Sequence, residues 1–66
     1  MYTAEIMKKV TIGGSEVREV IKNSRSIDLS ALIDTYEYCY KSDGISICIY
    51  DLSNQQRKLV YQDGEV

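Results

Sequence analysis

The stretch that most constrains this chain is the pair of alternating runs on either side of Asp43-Gly44, residues 35–41 and 45–51. An Asp-Gly dipeptide between two such runs is the strongest short-range signal for a β-hairpin, because both central residues of the favoured turn take positive φ. A two-residue loop pairs Ser42 with Ile45, Tyr40 with Ile47 and Tyr38 with Ile49. Side chains alternate along a strand, so Tyr36, Tyr38, Tyr40, Ile45, Ile47 and Ile49 are expected on one face. The same register sets Cys39 opposite Cys48 on the other face. A non-hydrogen-bonded pair has Cα atoms about 4.5 Å apart, at the short end of what a disulfide spans. The pair is therefore a candidate disulfide, with two reduced thiols packing as small hydrophobes as the alternative.

The rest of the chain is read around this hairpin. Residues 2–12 alternate as a strand, with Tyr2, Ala4, Ile6, Val10 and Ile12 to one side. Gly13-Gly14-Ser15 then reads as a turn into a helix capped by Ser15. Val17, Val20 and Ile21 follow at helical spacing, with Glu16 and Glu19 early and Lys22 and Arg25 late, as the helix dipole prefers. Residues 27–34 are ambiguous. Asp28 is able to cap a second helix with Leu29, Leu32, Ile33, Tyr36 and Tyr40 on one stripe. That helix competes with the strand over residues 35–41, which is favoured because Tyr, Thr and Cys suit strands and because residues 45–50 need a partner. After a polar loop, residues 57–62 form a last strand, with Leu59 facing Ile49, Tyr61 facing Ile47, Val60 facing Cys48 and Arg57 facing Asp51. Residues 63–66 read as a fraying end.

The expected fold class is thus α+β: a single small domain over residues 1–66, in the order β-α-β-β-β. Its mainly antiparallel four-stranded sheet has one helix packed on one face. The expected core sets Tyr38, Tyr40, Ile45, Ile47, Ile49 and Leu59 beneath Val17, Val20 and Ile21. A chain of 66 residues sits near the lower limit for a self-sufficient core, which makes a homodimer or a bound partner an economical way to gain stability.

Composition narrows the function. The formal net charge is −2, but residues 1–25 hold five basic and three acidic side chains while residues 26–66 hold three basic and seven acidic ones. An acidic chain is poorly suited to non-specific duplex binding, which rests on neutralising phosphates. With no histidine in the sequence, the commonest general base is missing, and two cysteines alone do not make a structural zinc site. No catalytic set, cofactor site or metal site is expected. No run reaches transmembrane length and no export leader is evident, so a cytoplasmic location is expected.

These traits lead to a small non-catalytic protein-binding module acting through a sheet face or edge and through acidic residues. The expected contact residues are Glu37, Asp51, Tyr50, Lys41 and Lys58. In size and architecture the chain is similar in kind to bacteriophage proteins that block a host defence factor, the anti-CRISPR inhibitors among them. That analogy implies a host protein, of the nucleic-acid-handling sort, as partner. The alternatives are a nucleic-acid-binding protein using Arg18, Lys22 and Arg25 as a phosphate stripe on the first helix, and a structural homodimer.

Overall fold

The computed structural model describes residues 1–64. Four antiparallel strands form one sheet beside one α-helix among the described residues: β1 Tyr2–Ile12, β2 Ser15–Ser26, α1 Leu29–Cys39, β3 Ile45–Asp51 and β4 Lys58–Gly64. The sheet order is β2-β1-β3-β4. The α+β class, with a four-stranded antiparallel sheet and one helix, is as expected. The order along the chain differs, because the helix follows the second strand rather than the first.

The glycine pair explains the first half of that difference. Gly13 and Gly14 have φ of 58° and 82°, the two consecutive left-handed residues of a tight hairpin turn whose twist matches its strands. Ile12 therefore faces Ser15, and the chain returns along β1 as β2, with Val10 opposite Val17 and Met7 opposite Val20. Ser15 opens a strand instead of capping a helix. The helical spacing of Val17, Val20 and Ile21 has another origin, a β-bulge. The register slips between Ile6 and Met7 so that Ile6 faces Lys22 and Met7 faces Val20. Ile21 is the extra residue, and its insertion breaks the alternation that a regular strand would show.

The second half comes from Asp28. Its side chain accepts hydrogen bonds from the backbone N–H groups of Ser30 at 3.0 Å and Ala31 at 3.4 Å, and from the Ser30 hydroxyl at 2.8 Å. This is N-cap chemistry, satisfying donors that the first turn leaves free. It holds the Asp28 carboxyl below the usual carboxylate range, with the Ser30 hydroxyl the largest cause. The helix that follows runs through residues 35–39, which the hairpin reading makes a strand. Asp43-Gly44 lies in the connection from α1 to β3, with Gly44 at φ 78°. β3 has no need of residues 35–41, because it pairs with β1 through Ala4–Ile49, Ile6–Ile47 and Lys8–Ile45.

The core lies between α1 and one face of the sheet. Ala4, Ile6, Leu32, Tyr36, Ile47 and Ile49 are buried there, with Tyr2, Leu29, Ile33, Tyr40, Ile45 and Tyr61 packed against them. Residues 32, 33, 36 and 40 recur at the three- and four-residue spacing that lines one side of a helix. Burying each large side chain contributes about 1.5–3 kcal/mol. Ile45, Ile47 and Ile49 share the core face as expected. Tyr38 and Leu59 do not join them, being 87% and 46% exposed. Val17, Val20 and Ile21 lie on β2 instead of on a helix over the core and are themselves exposed. In β4 a second bulge shifts the register, so that Ile49 faces Tyr61, Tyr50 faces Leu59 and Asp51 faces Lys58, two residues away from the expected pairing at Ile49.

Candidate interaction surfaces

The helix presents the most one-sided surface. Within Leu29–Cys39 the charged residues are Asp34 and Glu37, and no basic residue interrupts them. Ser30, Asp34, Glu37 and Tyr38 are all exposed. Their spacing of four, three and one residues sets them along one solvent-facing stripe, opposite the buried Leu32 and Tyr36. Tyr38 stands beside the two carboxylates with 87% of its surface exposed. Exposed Asp28 and Asp43, just before and just after the helix, extend the acidic character to both ends.

The sheet face turned away from α1 is built differently. Alternation puts Thr3, Glu5, Met7 and Lys9 of β1 and Ser46, Cys48 and Tyr50 of β3 there. Thr3, Ser46 and Cys48 are buried although no helix or strand among the described residues lies over them, since they are short side chains between longer cross-strand neighbours. Glu5 binds the Arg57 guanidinium at 3.1 Å, and that guanidinium lies over the Tyr50 ring at 4.1 Å from its centroid. The Thr3 hydroxyl donates to the Asn23 side-chain oxygen at 3.2 Å. Burial pushes the Tyr50 phenol up; the neighbouring Cys48 and Glu5 add to the shift and Arg57 opposes it. These contacts tie Glu5, Tyr50 and Arg57 to one another and Thr3 to Asn23 across this face.

The structure separates the expected contact residues. Glu37 lies on the outer stripe of α1. Lys41 follows the helix and binds Asp63 of β4 at 3.3 Å, tying the end of the helix to the sheet edge. Tyr50 is locked under Arg57. Asp51 accepts the Ser53 N–H at 2.8 Å, closing the turn after β3, and that bond is the main reason its carboxyl lies below the usual range. Lys58 pairs across the sheet with Asp51. Of the five, Glu37 is the one on the outer stripe of α1, while Lys41 and Lys58 are exposed elsewhere on the molecule. Tyr38, the neighbour of Glu37 on the stripe along with Asp34, was outside the expected set because a strand buries it in the core. The Asp28 cap and the 29-32-33-36-40 stripe were the signals that locate them.

The other expected groupings are corrected as well. Cys39 and Cys48 are both free thiols, the first exposed at the end of α1 and the second buried on the far sheet face. They belong to different elements and lie on opposite sides of the core, so no disulfide joins them. Arg18, Lys22 and Arg25 do not form a helical stripe. As strand residues, Arg18 and Arg25 face away from α1 opposite Lys9 and Thr3, while Lys22 faces the helix side opposite Ile6.

Among the described residues no helix is long and apolar enough to cross a membrane. No family model, curated protein or solved structure matches this chain.

Proposed function

We propose that this chain is a small non-catalytic protein-binding module that lays the outer stripe of α1 on a basic surface of a partner protein. The observation that carries the reading is the stripe itself: Asp34 and Glu37 neighbour a tyrosine that is 87% exposed, on a helix with no basic residue. Tyrosine is enriched where a few residues carry most of an interface's binding energy. Unopposed carboxylates favour a positive counter-surface and speed encounter with it. The partner class that fits best is a cytoplasmic nucleic-acid-handling protein whose basic groove the acidic helix would occupy. An inhibitor of a host defence factor, of bacteriophage or mobile-element origin, acts in this way.

The test is affinity capture from host lysate with nuclease present, run in parallel with the Asp34→Lys/Glu37→Lys double variant and with Tyr38→Ala. All three positions are exposed, so the variants should keep the stability of the parent to within about 0.5 kcal/mol. A stoichiometric protein retained by the parent should bind the charge-reversed variant roughly tenfold more weakly or worse. Capture should also weaken as salt is raised. Equal retention by parent and variant would remove α1 from the interface and end this reading.

A further inference from the structure

We infer that two copies of this chain pair edge to edge through β2, with Val17 on the twofold axis and Glu16 of each copy opposite Arg18 of the other. The inference stands on the β1–β2 arm and does not depend on the role of α1. Beyond Lys9, β1 is no longer paired with β3, so residues 10–17 project as a two-stranded ribbon.

Three observations converge on this edge. The first is backbone polarity. The Lys9 N–H donates to Gly44 O at 2.8 Å, so Lys9 turns its hydrogen-bonding groups away from β2. Its cross-strand partner Arg18 is therefore in a non-hydrogen-bonded pair and points its own N–H and C=O out of the sheet. By alternation Glu16 does the same. The outer edge from Ser15 to Val20 is regular, and the Ile21 bulge ends it.

The second is charge. Arg18 lies directly opposite Lys9, and like charges at that position are destabilising. Lys9 has Glu16 at 3.3 Å, whereas Arg18 has no ion pair among the described residues. A twofold pairing of antiparallel strands is centred on one residue. Centring on Glu16, Arg18 or Glu19 would set identical charges against each other. Centring on Val17 sets Glu16 against Arg18 twice, and those are the two residues whose backbone groups point outwards. Each such pair exchanges both N–H···O bonds.

The third is the uncovered apolar surface. Val10 and Val17 face each other on the helix side of the arm, and Val17 is 41% exposed there. In the pair, Val10 and Val17 of both copies make one continuous row across four strands. The axis is perpendicular to the sheet, so both helices lie on the same face of an eight-stranded sheet.

Sedimentation and site-specific cross-linking test this. The parent chain should sediment as a dimer at high micromolar concentration. Arg18→Glu should weaken association by about tenfold or more, because two carboxylates then oppose each other on either side of the axis. That variant places a carboxylate opposite Lys9, which favours the β1–β2 hairpin, so its dissociation would not reflect unfolding. The swap Glu16→Arg/Arg18→Glu should restore the dimer. In a Cys39→Ser background, Val17→Cys should form an interchain disulfide on mild oxidation, since residues on the axis lie about 4.5–5.5 Å apart. Val20→Cys, on the other face and off the axis, should not. A monomeric parent, an Arg18→Glu variant that associates as the parent does, a swap that fails to restore association, or equal cross-linking at both sites would each overturn the pairing.

Discussion

Tyr36 and Tyr38 are two residues apart and chemically identical, and the fold assigns them opposite fates. In a strand, residues two apart share a face, so replacing either would cost about the same. On α1 they are separated by about 200° of helical rotation: Tyr36 is 0% exposed and Tyr38 is 87% exposed. The Tyr36 ring is buried in the core cluster with Ala4, Ile6, Leu32, Ile47 and Ile49, and its hydroxyl donates weakly to Ile45 O at 3.5 Å. Removing a buried aromatic ring by Tyr36→Ala costs about 3–5 kcal/mol. A domain of 66 residues has in total about 3–10 kcal/mol of stability, at roughly 0.05–0.15 kcal/mol per residue. Tyr36→Ala should therefore remove between a third and all of the folding free energy. Tyr38→Ala should fall within about 0.5 kcal/mol of the parent. Urea titration followed by far-UV circular dichroism reads both, and equal midpoints for the two variants would refute the helix.

Two further predictions follow from burial. The phenols of Tyr36 and Tyr61 are pushed up by burial first and by the Asp63 carboxylate second, and that of Tyr50 by burial first. A phenol whose folded pKa exceeds its unfolded value near 10 ionises more readily in the unfolded chain. Stability from these groups is then intact below about pH 10 and lost as pH rises beyond it; a urea midpoint that falls above about pH 10, and falls less in Tyr36→Phe, is the expected result. Cys39 is exposed and Cys48 buried, so a thiol reagent should titrate one cysteine rapidly and the second only on unfolding. Two fast thiols would show that the far face of β3 is open.

The parts of this fold that sequence reasoning reaches are those where local pattern and tertiary role agree. Residues 2–12 alternate, apart from Met7 and Lys8, and form β1 with those bounds, and Ile45, Ile47 and Ile49 point to the core as their period of two requires. The exchange of helix and strand between residues 15 and 41 has two physical causes. The bulge at Ile21 gives β2 an apolar spacing of three and four, and the order of its charges happens to suit a helix dipole. Asp43-Gly44 supplies a positive-φ glycine, which a helix-to-strand connection uses as readily as a hairpin does. The decisive local signals were present: two adjacent glycines, both able to take positive φ, ahead of a β-branched run, and Asp28 ahead of a stripe at 29, 32, 33, 36 and 40. The acidity of the second half of the chain was legible too. Its concentration on one helical stripe around Tyr38 was not, because that depends on which of two competing elements residues 35–39 join.

The exchange also changes what each half of the chain can do. With residues 15–26 as a helix, their charges would lie on a self-contained cylinder whose backbone groups are satisfied internally. As β2 they form a sheet edge, where Glu16 and Arg18 carry outward backbone donors and acceptors as well as side-chain charge, and an edge with unpaired groups is a template for another strand. The carboxylates Asp34 and Glu37, by contrast, lie on a helix whose backbone is closed, so the contact proposed for the α1 stripe would rest on side chains alone. The two proposed contacts would therefore rest on different chemistry. The proposed pairing through β2 would depend on register and should be weakened about tenfold or more by reversing one charge and recovered by reversing its opposite. The proposed docking through α1 would depend on local charge density and one aromatic ring, and should decline in step with each residue removed. Twofold pairing at β2 leaves both α1 stripes on one side of the sheet, so a target with two basic sites at the matching span would be held by two linked contacts, with an avidity that neither helix has alone.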